Sequence, residues 1–400
     1  MLPRFEPTVQ AAHARLAAVQ PDDYARTRNH LDGAVTGLSP YLTHGLLSLR
    51  EAYDTVHARQ PLDAKHKLVF ELGWRAYYRH VWAHRGGGIH QSFHPGLLPD
   101  DAYQAEMPAD VLEARTGVAA IDRAVSELYA TGYLHNHARM WLASYLVHLR
   151  KVHWHTAAQW MLGYLLDGDM ASNHLSWQWV AGTGSSKPYL FNADNVAKYA
   201  PSPWHSPGTV LDTSYEALDL LARKATAVNH RIDARGAHAG VPQPALTATP
   251  PGTNWSAPDR TIVTGRDVWL LHPWSLGAVP HAMGDDVLLL GVGFVEGHVQ
   301  TPWSERRWNF VAEGLRYRTP QLWWGNVAQV AQALQGARSL GWQTEAHADS
   351  ALNSLQTQLQ AGQGPAQPLV SRYAQPPLFD PVEPYCESFA KWWRQTAIAQ

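Results

Sequence analysis

The spacing of apolar residues changes along this chain, and that change constrains its fold more than any other feature. Up to about residue 225, apolar residues recur at helical spacing, for example at 48–60, 64–85, 117–132 and 135–153. Strand-like alternation of apolar and polar residues is scarce in the same stretch. The sequence therefore predicts an all-helical first half.

A segment rich in Pro, Gly, Ala and Thr follows at 235–260, and such a composition is typical of a linker. Beyond it, short apolar runs alternate with helical patterns, which indicates buried parallel strands joined by helices. The predicted strands lie at 268–271, 287–294, 321–324 and near 343–348, and the predicted helices lie at 304–318, 326–338 and 348–360.

We therefore expect the fold class α + α/β, with an all-helical domain followed by a small Rossmann-like domain with a parallel sheet. The predicted division is a helical domain at 1–225, a linker at 226–260, the α/β domain at 261–360, and a tail at 361–400. The tail is predicted to be irregular apart from a short helix.

The composition limits the kind of protein this is. Among 400 residues only 16% are charged, with a formal net charge of -2, which argues against a strongly basic nucleic-acid binder. The single cysteine, Cys386, rules out an internal disulfide and a four-cysteine metal site. Without an apolar leader or a run of 18 apolar residues, we expect a cytoplasmic monomer with no membrane span.

Two residue types are unusually frequent, with 18 Trp and 22 His. The tryptophans suit either aromatic packing in a large core or stacking on a ligand and electron transfer. Histidines cluster at 135–137 and 153–155, but no carboxylate set accompanies them at ligand spacing, so no metal site is predicted.

Four sequence segments in the helical half contain the candidate functional residues. They are TGLSPYLTHG at 36–45, ELGWRAYYRH at 71–80, TGYLHNHARMWLASYL at 131–146 and LLDGDMASNHLSWQWVAGTG at 165–184. The small residues and hydroxyls of the first can bring backbone N–H groups to a phosphate, although Ser39 alone equally suits a helix N-cap.

Together the four clusters resemble the FAD domain of DNA photolyases and cryptochromes. The family has Thr-Ser-Arg-Leu-Ser-Pro-Tyr-Leu, Glu-x-x-Trp-Arg-x-Phe/Tyr-Tyr-x-His, Thr-Gly-Trp-x-His-Asn-Arg-x-Arg-Met and Asp-Gly-Asp-x-x-x-Asn-x-x-x-Trp-Gln-Trp in the same order. The spacings from Trp154 to Asp167 and from Asp167 to Trp177 also match. The resemblance covers roughly residues 10–225 and implies that the helical domain binds FAD.

The resemblance also implies which residues hold the phosphates of FAD. Tyr24, Thr36, Leu38 and Ser39 would bind them. Gly37 stands where the family has an arginine, so that phosphate contact is lost or supplied from elsewhere.

Around the flavin ring, the resemblance implies an ion pair of Arg139 and Asp167 that stabilises negative charge on the reduced flavin. Asp169 would touch the flavin or ribose edge, and Asn173 would face flavin N5. Further residues of the matched motifs are assigned to the surroundings of the cofactor, namely Glu71, Trp74, Arg75 and Asn136.

Two tryptophans, Trp177 and Trp154, match members of the electron-transfer chain of the family. The outermost tryptophan of that chain is absent from its expected place. Tyr103, Trp82 and Trp160 are the alternatives for the exit.

The substrate pocket of cyclobutane-dimer photolyases is matched at five positions, Glu71, Asn136, Met140, Trp74 and Trp179. Glu71 would hydrogen-bond the thymine edge, and Trp74 and Trp179 would stack on a flipped-out dimer. A simpler alternative for Glu71 is an i,i+4 ion pair with Arg75 on a helix surface.

The predicted grip on DNA is weaker than in the family. His137 replaces an arginine of the third motif, and few basic residues follow Trp179. Phosphate contacts provide most non-specific affinity, so such a protein would bind DNA weakly or favour single strands. The basic residues that could substitute are Arg79, Arg85, Lys187 and Lys198.

The resemblance implies a photolyase-like lyase that acts on UV-damaged DNA, double- or single-stranded. Excited, reduced FAD would donate an electron to the flipped dimer, the ring would split, and the electron would return. The alternative is a cryptochrome-like photoreceptor without repair activity. The α/β domain follows the FAD domain here, whereas photolyases place an antenna-binding α/β domain first, so a second, antenna chromophore of unknown identity stays an open expectation.

Overall fold

In the computed structural model, which describes residues 5–228, 239–252, 254–280, 284, 286–361 and 367–399, the first half of the chain is helical. Its helices are α1 (Val9–Ala17), α2 (Pro21–Thr27), α3 (Ser39–Thr43), α4 (Leu49–Arg59), α5 (Lys67–Arg85), α6 (Ala109–Leu112), α7 (Ala119–Thr131), α8 (Asn136–Ser144), α9 (Trp154–Tyr164), α10 (Met170–Ala181), α11 (Ala193–Tyr199) and α12 (Tyr215–Ala222). A 3-10 helix at Gly86–His90 follows α5, and a π-helical turn at Tyr145–Leu149 follows α8.

The second half contains strands alternating with helices. They are β1 (Leu246–Thr247), β2 (Asp267–Leu271), β3 (Leu288–Phe294), β4 (Trp303–Ser304), α13 (Glu305–Arg316), β5 (Leu322–Gly325), α14 (Val327–Leu334), β6 (Ser339–Gln343), α15 (Asp349–Ala361), β7 (Leu369–Tyr373) and α16 (Phe389–Trp393). Five strands form one parallel sheet in the order β5-β3-β2-β6-β7. This arrangement confirms the predicted α + α/β fold class.

Three details of the sequence prediction were wrong. The strand expected near 343–348 ends at Gln343, and the following residues form the turn at its carboxyl end. The tail contains β7, an edge strand whose mixed sequence LVSRY lacks an apolar run and therefore gives no strand signal. Inside the predicted linker, β1 pairs antiparallel with β4. Part of that linker lies outside the described residues, and the division into domains stays a prediction.

The hydrophobic core is continuous between the helical half and the sheet. One cluster of buried side chains joins α1, α4 and α5 to the sheet and to α13–α16, and a second cluster fills the space among α7–α12. Burial of apolar surface on this scale is the main stabilising contribution to folding. The sheet therefore packs directly against helices that carry the clusters singled out in the sequence.

A buried arginine fixes the contact between α13 and the loop before α10. Arg307 is 1% exposed, and its guanidinium group donates to the backbone carbonyls of Leu162 and Gly168, each at 2.8 Å. Its guanidinium also lies 4.0 Å from the centre of the Trp303 ring. The loop that carries Asp167 is thus held in place from the α/β side.

Helix α10 begins and ends at well-defined caps. The side chain of Asp169 accepts a hydrogen bond from the backbone N–H of Ser172 at 2.8 Å, and Gly182 ends the helix with a φ of 78°. Among the described residues, no helix is long and apolar enough to span a membrane.

Candidate functional site

A cavity of about 670 Å³ opens between α2, α5, α8 and α10. Its volume lies within the usual range of ligand pockets. Most residues singled out from the sequence line it, namely Tyr24, Thr36, Ser39, Glu71, Trp74, Arg75, Asn136, Arg139, Met140, Asp167, Asp169, Asn173, Trp177 and Trp179. Two of the predicted residues, Leu38 and Trp154, are buried next to other elements and do not line the cavity.

Helical spacing explains why these residues meet. Glu71, Trp74 and Arg75 lie at i, i+3 and i+4 on α5, and Asn173 and Trp177 lie at i and i+4 on α10. Residues with these spacings share one face of a helix, and both faces are turned to the cavity.

Arg139 and Asp167 form an ion pair at the wall of the cavity. Arg139 Nη2 lies 3.0 Å from Asp167 Oδ1 and 2.8 Å from Oδ2, and Arg139 Nε donates to the carbonyl of Leu134 at 2.7 Å. The hydroxyl of Ser39 donates to Asp167 Oδ2 at 2.6 Å. The guanidinium is therefore held in one orientation, and its charge is available to an anionic group in the cavity.

Asp169 is anchored by two arginines. Its Oδ2 lies 2.5 Å from Arg79 Nη2 and 3.4 Å from Arg75 Nη2, while Oδ1 caps α10. Burial alone would raise the pKa of Asp169, but the two guanidinium groups and His347 outweigh it and hold this pKa well below its ordinary value. Asp169 is therefore a buried carboxylate at the edge of the cavity.

The ion pairs around Asp169 extend to the α/β half of the chain. Arg79 also pairs with Glu345, which follows β6 in the chain, and His347 Nδ1 lies 2.7 Å from Glu345 Oε2. His347 Nε2 accepts a hydrogen bond from the backbone N–H of Met170 at 2.9 Å. The start of α10 is thus tied to the sheet by charged groups.

The loop before α3 has glycine where a larger residue would clash. Gly37 has a φ of 60°, and a Cβ atom there would lie 2.7 Å from Arg15 Nη1. The guanidinium of Arg15, on α1, thus lies against the loop at the position where the matched motif lacks its arginine. Sequence reasoning missed Arg15, because nothing in the sequence links α1 to this loop.

The mouth of the cavity is open to solvent, whereas its floor is buried. Asn136 and Trp179 are exposed at the mouth, and Asn136 Nδ2 lies 3.7 Å from Met140 Sδ. Asp167 and Trp177 are buried at the floor. A ligand could therefore bind deep in the cavity while a second molecule reaches the mouth.

Glu71 pairs with Arg28, at 3.5 Å from Oε1 to Nε. The structure shows no ion pair between Glu71 and Arg75, whose guanidinium is instead directed to Thr43 and Asp169 among the described residues. Desolvation raises the pKa of Glu71 despite the opposing effect of Arg28 and Lys67. A raised pKa favours the protonated form, which can donate a hydrogen bond.

Trp74 is supported from the C-terminal part of the chain. Its ring stacks on that of Phe389 with centroids 4.1 Å apart and an interplanar angle of 12°. One face of Trp74 is therefore covered by α16. No spacing of residues along the chain signals this contact.

Two buried polar atoms at the cavity have no hydrogen-bond partner among the described residues, Ser172 Oγ and His135 Nε2. An unpaired buried polar atom costs about 1–3 kcal/mol, so a polar ligand that pairs with it gains affinity. Together with the Arg139 cation and the hydroxyls of Thr36 and Ser39, these atoms suit a large polar cofactor such as FAD.

Trp154 lies behind α10, with its Nε1 donating to Ser92 Oγ at 2.9 Å. Its ring centroid is 5.9 Å from that of His153, which in turn is 6.2 Å from Tyr103. Trp160 instead packs against Tyr129 and Tyr164, and Trp82 against His347. Of the three exit candidates, Tyr103 is the one that ring contacts among the described residues connect to Trp154, through His153.

One of the four basic residues suggested for DNA contact is engaged elsewhere. Arg79 is held by Asp169 and Glu345, and its contact with DNA stays a prediction. Lys187 and Lys198 are exposed, and Arg85 is exposed beside the Phe93 ring. Arg28, which the sequence analysis missed, adds a cation at the cavity.

A second cavity, of about 680 Å³, lies at the carboxyl ends of β2, β6 and β7 where they face α5. The strand order reverses between β2 and β6, and open parallel sheets bind ligands at such a reversal. Trp274 and Glu345 line it from the sheet, and Arg75 lines both cavities. Leu42 also lines both cavities.

Comparisons with known proteins find similar sequences over part of the chain. A family model described as the FAD binding domain of DNA photolyase matches residues 68–202. A deoxyribodipyrimidine photo-lyase of Thermus thermophilus is 37% identical over 196 residues, which are 47% of this chain and 46% of that protein. A cryptochrome DASH of Gloeobacter violaceus is 33% identical over 171 residues, which are 40% of this chain and 34% of that protein.

Among solved structures, a Synechocystis cryptochrome is similar over 50% of this chain and 44% of its own chain, with 29% identity and a TM-score of 0.45. The chain spans less than half the length of the curated relatives it matches.

Proposed function

We propose that this chain, which belongs to the photolyase/cryptochrome family through its FAD-binding domain, is a light-driven lyase that repairs cyclobutane pyrimidine dimers in DNA. One observation carries the proposal. The residues matched to the dimer pocket and those matched to the flavin pocket line a single cavity, in which Asn136 and Trp179 are exposed and Asp167 and Trp177 are buried.

FAD, when bound and reduced, supplies the electron that blue light transfers to the dimer. Arg139, oriented by Asp167, would hold a cation beside the ring system and stabilise the reduced cofactor. Ser172 and His135 would pair with polar groups of the same cofactor.

At the mouth, Trp179 and the free face of Trp74 would stack on the flipped pyrimidines, and Asn136 would hydrogen-bond their edges. When protonated, Glu71 would donate a hydrogen bond to a thymine carbonyl, and burial, which raises its pKa, favours that form. That hydrogen bond strengthens as negative charge develops on the dimer, so it favours ring opening.

Trp177, Trp154 and Tyr103 would carry electrons inward when the oxidised cofactor is photoreduced. Ring contacts connect Trp154 to Tyr103 through His153. The path ends near the surface, where Tyr103 is half-buried.

The DNA would bind weakly, with a preference for single strands. Lys187 and Lys198 are exposed, and Arg28 already faces Glu71. With few cations to neutralise phosphates, the affinity should be low and only modestly dependent on salt.

A blue-light photoreceptor without repair activity is the second candidate. The engagement of Arg79 by Asp169 and Glu345 favours it, because a basic residue is thereby withdrawn from DNA. The network joins α5 and α10 to the sheet, so a change at the flavin could reach the α/β half.

We also assign the second cavity to the antenna chromophore, since it lies at the reversal of strand order and shares Arg75 with the first. Heat release of a pigment besides FAD from the purified protein is the expected result. A protein that releases FAD alone, and whose absorption does not change when folate or deazaflavin pigments are added, contradicts this assignment.

The repair proposal is tested by mixing photoreduced protein with a thymine-dimer oligonucleotide and following the return of thymine absorbance under blue light. Recovery in light and none in the dark is expected. Trp179→Ala should abolish recovery while FAD stays bound, and Tyr317→Ala, at an exposed site, should not. If FAD is bound and reducible but no thymine absorbance returns, the repair proposal fails and the photoreceptor candidate stands.

A further inference from the structure

Three histidines from separate elements converge behind α10, outside the cavity. His90 ends the 3-10 helix after α5, His155 lies in the first turn of α9, and His174 lies on α10. One ring nitrogen from each lies within 4.8 Å of those of the other two. The three residues come from distant points of the chain, so only the fold brings them together.

His174 has its ring oriented by the backbone. Its Nδ1 lies 3.0 Å from the carbonyl oxygen of Met170, which fixes Nδ1 as the protonated nitrogen. Its Nε2 is buried and has no hydrogen-bond partner among the described residues. A histidine that binds a metal typically donates its other ring N–H to a backbone carbonyl in this way.

The other two rings already approach each other at ligand distance. His90 Nδ1 lies 3.1 Å from His155 Nε2, and the ring centroids of His90 and His174 are 4.8 Å apart. A single hydrogen bond between two of the rings leaves the third without a partner. A cation placed among the three rings would give a partner to one nitrogen atom of each ring.

We propose that His90, His155 and His174 form a three-histidine site for a divalent transition-metal ion, with Zn²⁺ as the best match. Three neutral nitrogen donors without a carboxylate suit Zn²⁺, Cu²⁺ or Ni²⁺ and do not suit Mg²⁺ or Ca²⁺. This site departs from the expectation, drawn from the sequence, that the chain has no metal site.

Three protein ligands leave one position of a tetrahedral zinc ion for another donor. The side-chain amide of Gln159, one turn after His155 on α9, has its Nε2 3.5 Å from His155 Nε2. Either this amide, after rotation, or a water molecule would complete the coordination. The ring of Trp154 lies 5.5 Å from that of His155 and 6.3 Å from that of His174, so the ion would sit beside this tryptophan.

The test is equilibrium dialysis of the chelator-treated, FAD-loaded full chain against Zn²⁺, with bound zinc measured by mass spectrometry. One tightly bound zinc per chain is expected. His90→Ala and His155→Ala should each weaken binding by more than about 100-fold, since loss of an outer-shell partner alone costs ~10- to 100-fold. The matched control His94→Ala, at an exposed histidine, should bind as the unaltered chain does.

Retained FAD and an unchanged far-UV circular dichroism spectrum establish that each variant is folded. If a variant does not fold, anomalous scattering at the zinc edge from crystals of the unaltered chain locates the ion directly, and it should lie among the three rings. Absence of stoichiometric zinc, zinc binding that is unchanged in both variants, or an anomalous peak elsewhere would overturn the proposal.

Discussion

At the scale of single residues, the proposed chemistry depends on how side chains are oriented before any ligand arrives. Arg139 is fixed by Asp167 and by the carbonyl of Leu134, so its charge needs no rearrangement to act on a bound group. Such preorganised charge is worth more than the same charge on a mobile side chain. Substitutions of Arg139 and Trp154 test the roles of individual side chains.

Replacing Arg139 by alanine should weaken FAD binding and lower the reduction potential of the bound cofactor. A hydrogen bond from a charged donor contributes about 1.5–3 kcal/mol, which corresponds to a loss of roughly 10- to 100-fold in affinity. Titration with FAD and a redox titration measure the two effects. Arg139→Lys keeps the charge, so the reduction potential of the bound cofactor should stay close to that of the unaltered protein. An unchanged reduction potential in Arg139→Ala would contradict the assigned role.

Replacing Trp154 by phenylalanine should nearly abolish photoreduction of oxidised FAD by an external donor, because phenylalanine is much harder to oxidise than indole. Absorbance under blue light measures the rate. The matched control is Trp160→Phe, which removes a buried indole on the same helix that packs against Tyr129 and Tyr164. Equal rates for the two variants would exclude Trp154 from the path.

At the scale of elements, α5 and α10 form the site because each presents one face to the cavity. Helix α5 could be predicted from the spacing of apolar residues, and so could the convergence of Glu71, Trp74 and Arg75 on one of its faces. Helix α10 was not among the helices predicted from that spacing. The stacking of Phe389 on Trp74 could not be predicted, because it joins residues far apart in the chain. Strand β7 was missed for a different reason, since an edge strand does not need an apolar run.

The ion-pair network of Arg79, Asp169 and Glu345 connects these helices to the sheet. Glu345→Gln removes one of the two carboxylates paired with Arg79. Because Asp169 still pairs with Arg79, the free energy of unfolding should fall by roughly 1.5–3 kcal/mol, the contribution of a hydrogen bond between charged groups. Urea unfolding measures it. Asp219→Asn, which breaks an exposed pair with Arg223, should cost less than about 1 kcal/mol.

The same substitution should change the response to acid. Burial would raise the pKa of Glu345, but Arg79 and His347 hold it well below its ordinary value. A depressed carboxylate pKa gives stability that is present above the pKa of the unfolded chain and is lost as the pH falls. Acidification below about pH 4 should therefore destabilise the unaltered chain more than Glu345→Gln. An identical acid dependence for the two would show that this carboxylate is not held by the network.

At the scale of the whole molecule, one hydrophobic cluster runs from α1 to α16 and includes the sheet. The sequence predicted the two halves and their fold class, because each follows from local periodicity. It did not predict that the halves share a core, that Arg307 crosses between them, or that His90, His155 and His174 meet, since these depend on tertiary packing.

Buried histidines in this core make stability depend on pH. Burial, with a smaller effect of Arg307, lowers the pKa of His298 to about 3, so it stays neutral in the folded chain while the unfolded chain binds a proton below about pH 6.5. Stability contributed by a neutral buried histidine is therefore full near pH 7 and falls as the pH decreases toward the folded pKa.

From pH 7 to pH 4.5 this histidine alone should remove roughly 2–3 kcal/mol of unfolding free energy. His298→Gln should lose correspondingly less over that range in urea unfolding, whatever its stability at pH 7. His94→Gln, at an exposed site, should follow the unaltered chain. The prediction is contradicted if the free energy of unfolding falls by the same amount between pH 7 and pH 4.5 in all three proteins.

The central claim is that one cavity holds FAD at its floor and a DNA lesion at its mouth, close enough for an electron to pass. The most direct measurement is the fluorescence of the reduced, FAD-loaded protein during titration with a thymine-dimer oligonucleotide. We predict quenching that saturates with the damaged strand and is absent with the same sequence undamaged. Equal fluorescence with both strands, at concentrations where the damaged strand is bound, would contradict the account.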